Sequence, residues 1–262
     1  MLPIILAILP AIFFILLIYF KDKYSREPIK YLIFAFILGM ISTLPASLLE
    51  NLIFSNIKLD IPLEISAFVE AFFFVAFIEE GIKFLMFRWF IWPKHYFDEP
   101  IDGVVYMVAI GMGFAFLENF AFIFNDLSHI WSVALMRALM PTPAHFVFAV
   151  AMGYYFGYAK FNFVRKKKKL MLYGFLITFI SHGTYDYLLM LVPKYPLCLS
   201  IAIAFIIIYL ILALRLINRH QKLSPFVKRY KWLKEQNRKN SDELKNQLDK
   251  LKETLENKHL EK

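Results

Sequence analysis

The chain has 262 residues, of which 59% are hydrophobic and 18% aromatic, with only 9 glycines; this is the composition of a polytopic α-helical membrane protein with a charged tail, and it argues against a soluble domain. The single cysteine, Cys198, excludes an internal disulfide and, with it, a zinc site built from four cysteines or from two cysteines and two histidines. The net charge of +9 does not point to nucleic acid, because the basic residues cluster in membrane-flanking loops and in the C-terminal tail, where the lipid bilayer and its anionic headgroups are the nearer partner.

In chain order, Leu2 to Phe20 is an apolar run of about the length that crosses a hydrocarbon core. It lacks a basic leader and a small-residue cleavage site, so it reads as a retained first span and not a signal peptide. Lys21 to Pro28 ends it, since Pro28 biases Glu27 away from helix and the charges need water. Ile29 to Phe54 is the second span, with a kink predicted at Pro45. Pro62 to Trp92 is the third. A short polar loop, Lys94 to Pro100, leads into the fourth, Ile101 to Asn125, where Gly103, Gly111 and Gly113 allow close helix approach. The fifth, Trp131 to Ala159, is broken by Pro141-Thr142-Pro143 just ahead of His145. After the basic loop Lys160 to Lys169 come the sixth, Leu170 to Leu191, and the seventh, Leu197 to Ile217.

The fold class is therefore all-α, a bundle of about seven transmembrane helices without an internal repeat. Loops after spans one, three and five hold most of the basic residues, and the opposite loops hold little beyond Lys58 and Lys194. By the positive-inside rule the N-terminus is outside and the C-terminus cytoplasmic. Residues 1–220 form the membrane domain and residues 221–262 a charged tail. In the tail Leu244, Leu248, Leu251 and Leu255 recur at helical spacing, an amphipathic helix too short in heptads for a coiled coil.

The third span contains the sequence's strongest anomaly. Glu79 and Glu80 stand side by side in a phenylalanine-rich run, where an ionisable group costs about 2.5 to 3.5 kcal/mol on insertion scales and marks a functional site by default. Lys83 lies i,i+4 from Glu79 and can pair with it, while Glu80, about 100° round the helix, needs another partner. Three further spans carry interior polar groups: Glu118 and Asn119 on the fourth, His145 on the fifth, His182 and Asp186 on the sixth. Counted at 1.5 Å per residue from the cytoplasmic end of each span, Glu79, Glu118, His145 and His182 lie at roughly 19, 25, 22 and 18 Å. One depth shared by four helices is what a single buried site requires.

Each group also has a purely structural alternative. Glu79 and Lys83 can be an ion pair, and Asn119 interhelical glue. His145 can satisfy carbonyls freed by the proline break, and His182 with Asp186, i,i+4 on one face, can be a self-contained pair. Glu50, Glu64, Glu70 and Arg137 read as near a surface or fractionally buried, and His95, His129, His220 and His259 as loop or tail residues.

Clustered carboxylates and imidazoles in low dielectric suit activation of water, with a carboxylate as base and an imidazole stabilising the oxyanion of a tetrahedral amide. The same ligands suit a divalent metal such as zinc, with one position open. No His-Glu-x-x-His, Gly-x-Ser-x-Gly or Gly-x-Gly-x-x-Gly motif is present, against zincin, serine-hydrolase and dinucleotide-binding readings.

Glu79-Glu80-x-x-Lys83, Glu99-Pro100-x-Asp102-Gly103-x-x-Tyr106, Gly113-Phe114-Ala115-x-x-Glu118-Asn119, Arg137 with His145 and Gly153, and His182-Gly183-x-x-Asp186, in this order, resemble the PrsW family of intramembrane proteases, related to the CAAX prenyl proteases and bacteriocin-processing enzymes. The likeness spans residues 1 to 215. It implies a membrane-embedded endopeptidase of the prokaryotic cell membrane that cuts a small membrane protein, in the best-known members an anti-sigma factor. Carried over by motif, Glu79 or Glu80 activates water and Glu118, His145 and His182 complete the catalytic set, with Lys83, Asn119 and Asp186 in support. Glu118 stands where the wider superfamily has a His, and Asp186 where relatives often have Asn, which leaves a glutamate-based and a metal-dependent mechanism both open. Two rival readings are a non-catalytic membrane scaffold and a proton-coupled transporter, the latter weakened by the lack of a repeat and of paired broken helices.

Overall fold

A computed structural model describes residues 2–161 and 166–260 of the chain, so part of the basic Lys160 to Lys169 loop lies outside the described residues. The chain divides into two compact units, Met1–Leu223 and Ser224–Lys262. In the first, α1 (Leu2–Lys21) and α2 (Ile29–Asn56) are followed by a segment of four pieces: α3 (Leu63–Val69), a π-helix (Glu70–Ala76), α4 (Phe77–Met86) and a second π-helix (Phe87–Ile91). Then come α5 (Pro100–Asn125), a single 3-10 turn (Leu127–His129), α6 (Ile130–Leu139), α7 (Pro141–Phe161), α8 (Lys167–Leu191) and α9 (Leu197–Lys222). The second unit is α10, Val227–Leu260; the side chains of Leu251 and Leu255 of its leucine pattern lie outside the described residues.

All described regular structure is helical. Among the described residues five stretches are long and apolar enough to cross a membrane: Leu2–Lys21, Ile29–Asn56, Pro100–Asn125, Leu127–Phe161 and Leu197–Lys222. The third and sixth predicted spans are not among them. The third is divided by its π segments, and α8 opens on Lys167, Lys168 and Lys169 and carries His182 and Asp186, which lower its hydropathy.

α5 is the central helix, packed on α1, α2, α7 and α9. Its start is fixed locally: Glu99 is extended at the N-cap, Pro100 takes the first helical position, and Asp102 Oδ2 accepts the Glu99 N–H at 2.8 Å. Its near-uniform apolarity follows from burial on all sides. Where α5 crosses α7, Gly103 faces Gly153, and a Cβ on Gly153 would come within 2.4 Å of the Gly103 carbonyl oxygen. Only glycine permits that backbone contact. On the outside of the bundle, α1, α2 and α9 present exposed apolar side chains such as Leu9, Leu48 and Ile207, an inverted surface suited to lipid.

Candidate active site

The core of the site is one turn of α4. Glu79, Glu80 and Lys83 are all buried, and the Lys83 ammonium donates to Glu79 Oε2 at 3.0 Å and to Glu80 Oε1 at 2.8 Å. The sequence paired Lys83 with Glu79 and required another partner for Glu80; Lys83 reaches both carboxylates, and Glu80 has His182 Nδ1 as well, at 2.9 Å. At i,i+3 and i,i+4 one flexible lysine reaches both neighbours. Lys83 also sits 3.9 Å over the Phe114 ring, so the cation has an apolar floor as well as two anions. The π-helix preceding α4 packs against α8, where a Cβ on Gly183 would meet the Phe72 ring at 2.5 Å. The glycine beside His182 therefore lets the two segments close on each other.

From α5 comes Glu118, whose Oε2 lies 2.9 Å from His145 Nε2 and 2.5 Å from Arg137 Nη2. Arg137, read from sequence as near a surface or fractionally buried, is 9% exposed and is the counter-ion of Glu118. Its enclosure has a local cause. α6 stops at Leu139, so Arg137 sits at an internal break and not at a helix's aqueous end. Its Nε donates to Asn119 Oδ1 at 2.7 Å, while Asn119 Nδ2 donates to Ala7 O at 2.9 Å and Thr142 Oγ1 at 3.0 Å. Asn119 does bind helices together, as its structural alternative had it.

His145 does not play the carbonyl-satisfying part that its place after the break suggested. The freed Arg137 carbonyl takes the Thr142 hydroxyl at 2.9 Å, and the imidazole is left for other partners. Lys83 Nζ lies 3.3 Å from His145 Nδ1. An ammonium only donates, so Nδ1 accepts; in the neutral ring the proton is then on Nε2, aimed at Glu118.

His182 on α8 has a carboxylate on each side: Nδ1 is 2.9 Å from Glu80 Oε1 and Nε2 is 3.2 Å from Asp186 Oδ2. Both contacts are hydrogen bonds when the ring carries two protons or when one of the carboxyl groups supplies the second proton; otherwise a nitrogen lone pair faces an oxygen, a position that a cation can fill. The ring stacks on Phe148 at a centroid distance of 4.9 Å and lies 5.5 Å from the His145 ring.

These groups surround a cavity of about 560 Å³ that runs from Glu79 and His182 toward the helix ends at Phe54, Asn125 and Met190. Glu79, Glu118, His145, His182 and Asp186 line it, whereas Glu80, Lys83 and Asn119 stand behind the wall. Glu50 on α2 lines it too, with Oε1 buried and without a hydrogen-bond partner among the described residues. Sequence reasoning placed Glu50 near a surface or fractionally buried, and the depth count, roughly 32 Å from the cytoplasmic end of its span, does not group it with the other four; the cavity takes it in because it runs toward that end of α2. His220, read as a tail residue, is fully buried, because α9 runs on to Lys222 and its Nδ1 reaches the Pro100 carbonyl at 2.9 Å.

The sequence pattern of the PrsW family intramembrane metalloproteases matches residues 27–214. The chain belongs to the PrsW family. It is similar to Protease PrsW of Oceanobacillus iheyensis, 37% identical over 81% of this chain and 93% of the relative. Protease PrsW of Geobacillus kaustophilus is 35% identical over 66% of this chain and 72% of its own length, and that of Clostridioides difficile 34% over 78% and 85%. No solved structure matches. With its apolar helices, this PrsW-family chain is a multi-pass integral membrane protein and an intramembrane peptidase acting on membrane-protein substrates.

The family description includes a metal, and the donor set fits one. Glu79, Glu80 and His182 each bring a ligand atom within 4.8 Å of the others, the imidazole and carboxylate mixture zinc favours. Asp186 stands behind Nε2 of His182 as the outer carboxylate that orients a metal-bound imidazole.

Proposed function

We propose that this chain is a seven-span endopeptidase in which Glu79 is the base that activates water, while Glu80 positions Lys83 and His182. The observation that carries this reading is the division of the two adjacent carboxylates by the cavity wall: Glu79 faces the cavity and Glu80 does not. Glu79 takes the proton of the attacking water and passes it to the leaving amine. His145 and His182 line the same cavity beside the scissile carbonyl, and either ring would stabilise the oxyanion by exchanging one of its present carboxylate contacts for it as the carbonyl becomes tetrahedral. Glu118 and Arg137 hold the His145 ring, and Asp186 holds that of His182. A metal bound by Glu79, Glu80 and His182 would add Lewis-acid polarisation and a more acidic water.

The substrate class is a small membrane-anchored regulator such as an anti-sigma factor, as the family resemblance implies, in the prokaryotic cell membrane. With the N-terminus outside and the C-terminus cytoplasmic, as the loop charges require, the ends of α2, α5 and α8 toward which the cavity runs face the outer leaflet. The bond cut would then lie in the outer half of the bilayer or just beyond it.

The test is co-expression of Glu79→Ala, Glu80→Ala and His182→Ala variants with a tagged membrane-anchored substrate, with each variant's fold checked by its melting transition. Loss of cleavage in folded variants is expected; unchanged cleavage in all three would defeat the assignment. A scaffold would instead lose folding in the same variants.

A further inference from the structure

A second collection of acids lies at the other end of α5, away from the cavity. Asp22 follows α1, Glu27 precedes α2, and Asp98, Glu99 and Asp102 surround the start of α5. Asp22, Glu27, Glu99 and Asp102 are each at most 4% exposed. Ligand atoms of Asp22, Glu99 and Asp102 lie within 4.8 Å of one another, and so do those of Glu27, Asp98 and Asp102, so that Asp102 belongs to both groups.

Some of these oxygens are accounted for. Asp22 Oδ2 accepts the Glu27 N–H at 3.2 Å, Asp102 Oδ2 accepts those of Asp98 and Glu99 at 2.8 Å each, and the Tyr106 hydroxyl donates to Glu27 Oε2. The second oxygens of two of them are not: Asp22 Oδ1 and Asp102 Oδ1 are buried and find no hydrogen-bond partner among the described residues. Nor does any described lysine or arginine form an ion pair with Asp22, Glu27, Asp98 or Asp102. Lys160, whose charge acts on Glu27, Asp98 and Asp102 without a direct contact, donates to the carbonyls of Trp92 at 3.1 Å and Lys94 at 3.0 Å, and Arg26 Nε donates to the Asp22 carbonyl at 3.3 Å. Burying even one unpaired carboxylate costs several kcal/mol.

We propose that this end of the bundle is a binding site for one hard divalent cation, Mg²⁺, Mn²⁺ or Ca²⁺, with Asp22, Glu99 and Asp102 as its buried ligands and Glu27 and Asp98 at its rim. Three features select that class. The donors are all carboxylate oxygens, with no sulfur or imidazole to favour a softer ion. Their spacing matches ligands around a cation whose bonds are about 2.0 to 2.6 Å, for which opposite oxygens stand roughly 4 to 5 Å apart. The two orphaned oxygens belong to the two residues that the site joins, one on the loop after α1 and one on the first turn of α5. Burial and the adjacent Glu99 push Asp22 up to about 8, and burial raises Glu27 to about 7, as uncompensated acids behave. The ion would clamp the Asp22 to Glu27 loop onto α5. This holds whether or not the cavity site is a protease.

The test uses the full chain in detergent after chelation, carrying His182→Ala so that the cavity group lacks its imidazole. Titration with Mn²⁺ alone, read as loss of the free-ion EPR signal, should show one bound ion per chain that Mg²⁺ or Ca²⁺ displaces. The same ions should raise the melting temperature by about 5 to 10 °C at a hundredfold excess over the dissociation constant. Asp22→Asn and Asp102→Asn keep an acceptor for the backbone N–H groups and should weaken binding at least tenfold; Glu27→Gln serves should either fail to fold. No bound Mn²⁺, or binding untouched by every folded variant of the three, overturns the proposal.

Discussion

The two ends of α5 solve the same electrostatic problem differently. Glu118 and Asp102 sit about 24 Å apart at 1.5 Å per residue, each at the centre of a group of buried acids. Around Glu118 the chain supplies its own cations: Lys83 between Glu79 and Glu80, and Arg137 on Glu118. Around Asp102 no described lysine or arginine forms an ion pair with Asp22, Glu27, Asp98 or Asp102; backbone N–H groups and a tyrosine hydroxyl meet their oxygens, and Lys160 acts only from a distance. Two internal cations partly neutralise the cavity acids. At the other end the proposed external cation takes that part.

The sharpest way to break this contrast is catalytic. Glu79→Gln keeps size and hydrogen bonding but removes the base; cleavage of a reconstituted substrate should fall about 10²- to 10⁴-fold with the melting transition retained. An equal loss in Asp22→Asn under saturating Mg²⁺ would erase the distinction between the two ends. Next in size is the counter-ion. Lys83→Met leaves two buried carboxylates facing each other and should cost about 3 to 5 kcal/mol, read as a drop in melting temperature, with Glu80→Gln in the same chain restoring part of it.

Arg137→Met should cost less, about 1 to 3 kcal/mol, because His145 still donates to Glu118. The readout is again the melting temperature, and Glu118→Gln should absorb most of the effect. The smallest change has the opposite sign. In chelator, Asp22→Asn should raise the melting temperature by about 1 to 3 °C, since it removes like-charge repulsion where no counter-ion is lost. Destabilisation there would mean that Asp22 is paired after all.

The cavity site was largely legible in the sequence because charge inside an apolar run is conspicuous and depth can be counted: Glu79, Glu80, Lys83, Glu118, His145, His182 and Asp186 do converge. What the sequence concealed were residues whose depth depends on where a helix really ends. Arg137 read as near a surface or fractionally buried, yet it is enclosed beside the break between α6 and α7, and His220 looked like tail until α9 proved to reach Lys222. Glu50 lies farther from the cytoplasmic end of its span than the other four cavity residues, where a depth count does not single it out. The π segments were invisible, because a phenylalanine-rich run has no polar stripe from which a change of pitch can be read.

That hidden change of pitch bears on how the carboxylate is aimed. Each residue a π turn takes in beyond an α turn rotates everything after it by roughly 100°, so the azimuth of Glu79 depends on Glu70–Ala76 keeping its wider winding. Val75, within that winding, is part of the cavity wall. A contact made at Val75 therefore falls on the same winding that sets the direction of the Glu79 carboxylate.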